Sequence, residues 1–138
     1  MTNALKLFLT ISIQIAIAGC TSVSASEEEM YEKASALTKL TGMVEVIVVY
    51  SEDGSELSDD ELLMEATEHD PTVLDQFKNY ELRATQIGEH AVVTMCDANG
   101  NEALLQDLGC TAGLDAHYWK TELQEPCGTE QLHAPTCR

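Results

Sequence analysis

The chain has 138 residues and carries 24 acidic against 7 basic side chains, for a formal charge of −17. Such a surface repels phosphate backbones and anionic headgroups, which argues against nucleic acid as a partner and against charge-driven membrane binding. The length suits one domain with a real hydrophobic core, built from recurrent Leu, Ile, Val and Met rather than from its 7 aromatic residues.

Lys6 is the only charge ahead of an apolar run holding Leu5, Leu7, Phe8, Leu9, Ile11, Ile13, Ile15 and Ile17. This suits a signal-peptide h-region of roughly 7 to 15 residues. A membrane span needs about 20 mostly apolar residues, and this run is shorter and broken by Thr10, Ser12 and Gln14. It ends on Ile17-Ala18-Gly19-Cys20, which resembles the lipobox of bacterial lipoproteins. The resemblance covers residues 1 to 20 only. It implies cleavage before Cys20, a diacylglyceryl or palmitate-bearing anchor on that sulfur, and three segments: signal peptide 1–19, lipidated N-terminus and tether 20–26, and one globular domain 27–138. Two or more acyl chains hold a protein stably on a membrane. Thr21 stands where an Asp would resemble the inner-membrane retention signal of enteric bacteria, so the resemblance implies an outer-membrane anchor facing the periplasm. An ordinary cleaved signal peptide is the plainer alternative.

Residues 21–26 are small and polar, as a flexible tether would be. Ser26 and Glu29 have capping-box spacing, and Met30, Ala34, Leu37 and Thr41 share one helical stripe before Gly42, which predicts a helix over 27–41. The β-branched run 43–50 then predicts a buried strand. After a turn at 51–54, Ser58-Asp59-Asp60-Glu61 is a second capping box, with Leu62, Leu63 and Ala66 facing inward. Asp70-Pro71 opens a third helix bearing Val73, Leu74 and Phe77. Leu82, Ala84 and Ile87 predict a strand, Gly88-Glu89 a tight turn, 91–96 a second strand, Asn99-Gly100 a hairpin turn, and 102–106 a third strand. The order predicts an α+β fold, with a small, mostly antiparallel sheet of three to four strands packed by about three helices. Residues 114–123 are expected to be helical up to Pro126, and the last dozen to form a disulfide-closed loop.

The five cysteines are Cys20, Cys96, Cys110, Cys127 and Cys137. An odd number in an exported chain leaves one thiol over, and lipidation of Cys20 removes it. The other four lack zinc-ligand spacing and suit two disulfides in an oxidising compartment. Of three connectivities, the expected one is sequence-local, Cys96 with Cys110 and Cys127 with Cys137, because short loops close most easily. A loop of the first size stabilises by roughly 3 kcal/mol in the chain-entropy model.

Candidate sites are few. Asp97-Ala98-Asn99-Gly100-Asn101-Glu102 is rich in oxygen ligands, but an EF-hand loop needs glycine sixth and glutamate twelfth, whereas here glycine is fourth and Leu108 twelfth. A hairpin turn explains it. His69, His90, His117 and His133 are scattered, and surface or capping roles are their ordinary use; Asp115, His117 and Glu122 are the one set that folding could bring together on an ion. Trp119 beside Tyr118 is a candidate binding surface, although a lone Trp on a small domain more commonly packs on the sheet and a disulfide. With no nucleophile elbow, phosphate loop or free thiol, no catalytic residue, metal or cofactor is expected. Sixteen acids lie between Glu27 and Glu81 against Lys33, Lys39 and Lys78. The expected function is a lipid-anchored envelope binding module, held to the membrane through Cys20 and facing a basic envelope protein. The alternatives are a periplasmic cation-binding protein and an inhibitor of a basic envelope hydrolase such as lysozyme.

Overall fold

One helix sets the architecture. In the structure, a computed structural model describing residues 26–51, 57–120 and Cys127, helix α1 runs Glu27–Tyr50. Ser26 caps it, its Oγ accepting the Glu29 N–H at 3.2 Å, and Glu27, Glu28 and Glu29 lie at the positive end of the helix dipole. The strand expected over 43–50 is instead the second half of this helix, which passes straight through Gly42. The reason is the buried stripe. Met30, Ala34, Leu37, Thr41, Val44 and Val48 are all buried at three- to four-residue spacing, while Val46 is 53 % and Tyr50 80 % exposed. Strand preference spans only about 1 kcal/mol per residue, less than the roughly 1.5–3 kcal/mol from burying one Val or Leu against the sheet.

Helix α2, Asp59–Ala66, starts at the second capping box: the Glu61 carboxylate accepts from the Ser58 N–H at 2.9 Å and its hydroxyl at 2.6 Å. It buries Leu62 and Leu63. The third expected helix is a 3₁₀ helix, Pro71–Phe77. Asp70 does not cap it; its carboxylate takes the Thr72 hydroxyl, and Val73 and Phe77 anchor the segment to the core.

Four strands follow: β1 Glu81–Ile87, β2 His90–Cys96, β3 Ala103–Leu108 and β4 Ala116–His117. They form an antiparallel meander in the order β1-β2-β3-β4, so the fold is α+β. Gly88 and Gly100, with φ of 63° and 68°, supply the left-handed residues that close the β1–β2 and β2–β3 turns. One face of the sheet, with Ala91, Val93, Met95 and Leu105, joins the cluster under α1. Val92, Thr94 and Cys96, which alternate with these on β2, are buried as well. The helix expected over 114–123 is not formed in its described part, where β4 is followed by a 3₁₀ turn, Tyr118–Lys120. Pairing of Ala116 and His117 with β3 takes the backbone groups that a helix would have used.

The disulfide joins Cys96 to Cys127 with Cα atoms 6.0 Å apart, which overturns the sequence-local pairing. Hairpin geometry explains the correction. Cys96 ends β2, whereas Cys110 follows β3 next to the start of β2, where the Gly109 N–H donates to the Ala91 carbonyl. At about 3.3 Å per residue the length of β2 separates the two cysteines by more than ~15 Å, against the ~7 Å a disulfide spans. The Cys127 backbone is held at the Cys96 end by its N–H on the Asn101 carbonyl, 2.9 Å, and by Arg83 Nη1 on its own carbonyl, 3.3 Å. Cys110 is disulfide-bonded too. Cys137, like Cys20, lies outside the described residues.

Candidate functional site

A surface cluster joins the first turns of α1 to the 3₁₀ turn after β4. Tyr31 and Trp119 meet edge to face, with centroids 6.1 Å apart and planes at 88°. Lys120 brings its Nζ to 4.3 Å from the Tyr31 centroid and 4.9 Å from that of Trp119. The same ammonium donates to the Tyr31 hydroxyl and lies 3.6 Å from Glu27 Oε1, which also accepts from Tyr31 at 3.4 Å. The hydrogen bond to Tyr31 pushes the Lys120 pKa up, opposed by desolvation and reinforced by Tyr31 and Glu27. The Tyr31 hydroxyl, the Trp119 ring and one carboxylate thus surround a cation.

Sequence spacing builds half of this site. Glu27 and Tyr31 are four apart on α1 and therefore share a face; Glu29 and Lys33 repeat the spacing beside Tyr80. There the Tyr80 hydroxyl donates to Glu29 Oε1 at 3.1 Å and Lys33 Nζ lies 6.0 Å from the Tyr80 ring. Burial, then the Glu29 hydrogen bond and charge, raise the Tyr80 hydroxyl pKa. The other half comes from the short β4. Its pairing of His117 with Leu105 and the bond from the Tyr118 hydroxyl to Gln106 Oε1, 2.9 Å, fix the turn that presents Trp119 and Lys120. Gln106 in turn donates to Thr94 Oγ1 at 2.9 Å. Of the predicted pair, Trp119 is half-buried against the hydrophobic core and also borders the surface cluster, while the Tyr118 hydroxyl is engaged with the sheet. The Trp119 Nε1 and His117 Nδ1 atoms are buried without hydrogen-bond partners among the described residues.

A second cluster, unforeseen in the sequence, fastens the other end of α1. Glu45 Oε1 is 2.6 Å from His90 Nδ1, and Oε2 accepts the Ala91 N–H at 2.6 Å. Gly109 makes room for it: a Cβ there would overlap the Glu45 side chain. Nearby, Asp107 is 1 % exposed and accepts from Thr38 Oγ1 at 3.4 Å. Burial, with the Asp115 charge adding, pushes its pKa up to about 6 despite hydrogen bonds from Thr41 and Thr38 that oppose the shift. This cluster sits between helix and sheet and has a fastening role.

The remaining candidates resolve into local structure. Asp115 Oδ2 accepts from the Leu108 N–H at 2.7 Å and the Thr111 hydroxyl at 2.8 Å, bracing the turn after β3; Glu122 lies outside the described residues. Asp97 Oδ1 accepts the Asn101 and Glu102 N–H groups at 2.6 and 3.0 Å, so its carboxylate organises the hairpin turn. Those turn contacts, led by the Glu102 amide, hold its pKa below the usual range. Among the described residues no three His, Cys, Asp or Glu side chains gather as metal ligands. An open cleft of about 530 Å³ borders Ser58, Asp59, Asp60, Glu81, Leu82 and Arg83. Its one guanidinium is already held by Glu81 Oε1, at 2.8 and 2.9 Å.

No protein-family model matches the chain, and comparisons with curated proteins and with solved structures likewise find no match.

Proposed function

We propose that this chain is a lipoprotein of the bacterial cell envelope, anchored through Cys20 to the outer membrane, where its acidic domain faces the periplasm and binds a basic envelope protein without catalysing a reaction. The observation that carries this reading is the cysteine pattern. Ile17-Ala18-Gly19-Cys20 closes a signal-like apolar run, and Cys96, Cys127 and Cys110 are all disulfide-bonded, as suits a chain oxidised after export. No helix among the described residues is long and apolar enough to cross a membrane. The binding half of the proposal is supported by the acidic first turns of α1 and by the aromatic cluster beside them.

Mass spectrometry of the protein taken from intact envelopes tests the anchor. The expected N-terminal fragment begins at Cys20 and carries acyl chains; an N-terminus starting at Met1, or a cleaved one without lipid, overturns it. Crosslinking in the same envelopes tests the partner. Recovery of a protein of high isoelectric point is expected, and recovery of acidic proteins alone, or of none, overturns the interaction reading.

A further inference from the structure

We infer that Tyr31, Trp119 and Glu27 form a seat for a basic side chain of the partner, arginine above all, and that Lys120 fills this seat as an internal stand-in when no partner is bound. The inference rests on the interaction reading above and specifies where the partner enters.

Three observations carry it. The seat is built for a cation: the Lys120 Nζ rests on the Tyr31 hydroxyl, 4.9 Å from the centroid of the Trp119 ring, and Glu27 supplies the counter-charge at 3.6 Å. Aromatic faces attract cations, arginine more often than lysine, because the guanidinium plane stacks on the ring and its fork matches a carboxylate. The stand-in is also displaceable. The Lys120 side chain is 37 % and that of Glu27 69 % exposed, so an incoming cation approaches from solvent and Lys120 swings into water, where its ammonium is well hydrated. Finally, Glu28 and Glu32 are exposed on the same two turns of α1, which gives the entrance a charge complementary to a basic protein.

Lys120 then acts as a competitor within the molecule. An occupied seat reduces apparent affinity by the fraction of molecules in which it is free, so removing the lysine strengthens binding while removing a ring or Glu27 weakens it. Trp119 is the only tryptophan and reports occupancy directly.

The test is a fluorescence titration of the full mature chain with an acetylated, amidated tetra-arginine peptide, repeated for variants. Lys120→Ala is expected to tighten binding by at least about threefold through release of the seat. Lys78→Ala makes the same charge change in an exposed ion pair with Asp75, elsewhere on the surface, and is expected to do less. Glu27→Gln and Tyr31→Leu are expected to weaken binding several-fold, with Glu65→Gln on α2 as the matched charge control; Tyr31→Leu keeps apolar bulk, and its melting curve checks folding. Equal effects of Lys120→Ala and Lys78→Ala, or weaker binding by Lys120→Ala, overturn the inference. A seat that binds the peptide in a chain that captures no basic envelope protein sinks only the interaction reading. A captured partner indifferent to Tyr31→Leu sinks only the seat.

Discussion

The two ends of α1 are held by opposite chemistries. At its C-terminal end Val44, Val48, Glu45 and the Thr38–Thr41–Asp107 group are closed between helix and sheet, and each polar atom there has a fixed partner or a raised pKa. At its N-terminal end Tyr31, Glu27 and Lys120 meet in the open, where charge contacts add little to stability because water competes for them. The difference separates roles. Buried polar groups fix how the helix sits, and exposed ones remain available to exchange partners.

The contrast predicts a ranking of variants. The largest effect belongs to Asp107→Asn. The folded-state pKa of Asp107, about 6, lies above its ordinary 3.8, so the folded chain binds this proton more tightly than the unfolded chain. That contribution is complete below about pH 4 and is lost as pH rises through 6, a change on the order of 3 kcal/mol. Asn cannot titrate, so variant minus wild-type stability in urea melts should climb by that order between pH 4 and 7; a flat difference would place the Asp107 carboxyl in water. Next is Gly109→Ala, whose Cβ would drive into Glu45, with an expected loss of about 1–3 kcal/mol by overpacking. Gly42→Ala should act in the other direction. A Cβ at Gly42 meets nothing within 4 Å, so added helix propensity should stabilise by about 0.5–1 kcal/mol, read as a higher melting temperature. If residues 43–50 were a strand, the same change would remove a helix stop and destabilise. Smallest is Tyr31→Leu, expected within about 0.5 kcal/mol of wild type in the same melts, as for exposed positions generally. A large loss there would erase the distinction between the two ends.

How far these features could be read from residues alone follows from their range. Ser26 with Glu29, Ser58 with Glu61, and the glycines at 88 and 100 announce themselves locally, and the structure places caps and turns there. Residues 43–50 carry two periods at once. Val44, Val46 and Val48 alternate as a strand would, while Leu37, Thr41, Val44 and Val48 continue a helical stripe. What decides between them is the apolar face of Val93, Met95 and Leu105, which needs a cover and lies far along the chain. The Cys96–Cys127 bond was legible in principle, since the Asn99-Gly100 hairpin already carries Cys110 away from Cys96; the preference for short loops ignored that geometry. The aromatic seat was only half legible. Trp119 stood out as the lone indole, but Lys120 and Tyr31 are 89 positions apart and meet only through the packing of α1 on β3.

The strand order has a consequence for how the molecule assembles. Every described strand pairs with its neighbours in sequence, so the sheet closes by successive hairpins, each a local event of microseconds. The long-range step is the docking of α1, which is synthesised before the strands it covers. A chain emerging with its amino end leading would hold this helix in waiting until β3 appears. Glu45 can meet His90 and the Ala91 amide once β2 is made, and Thr38 can meet Asp107 only when β3 follows, so the fastening of α1 marks the completion of the fold.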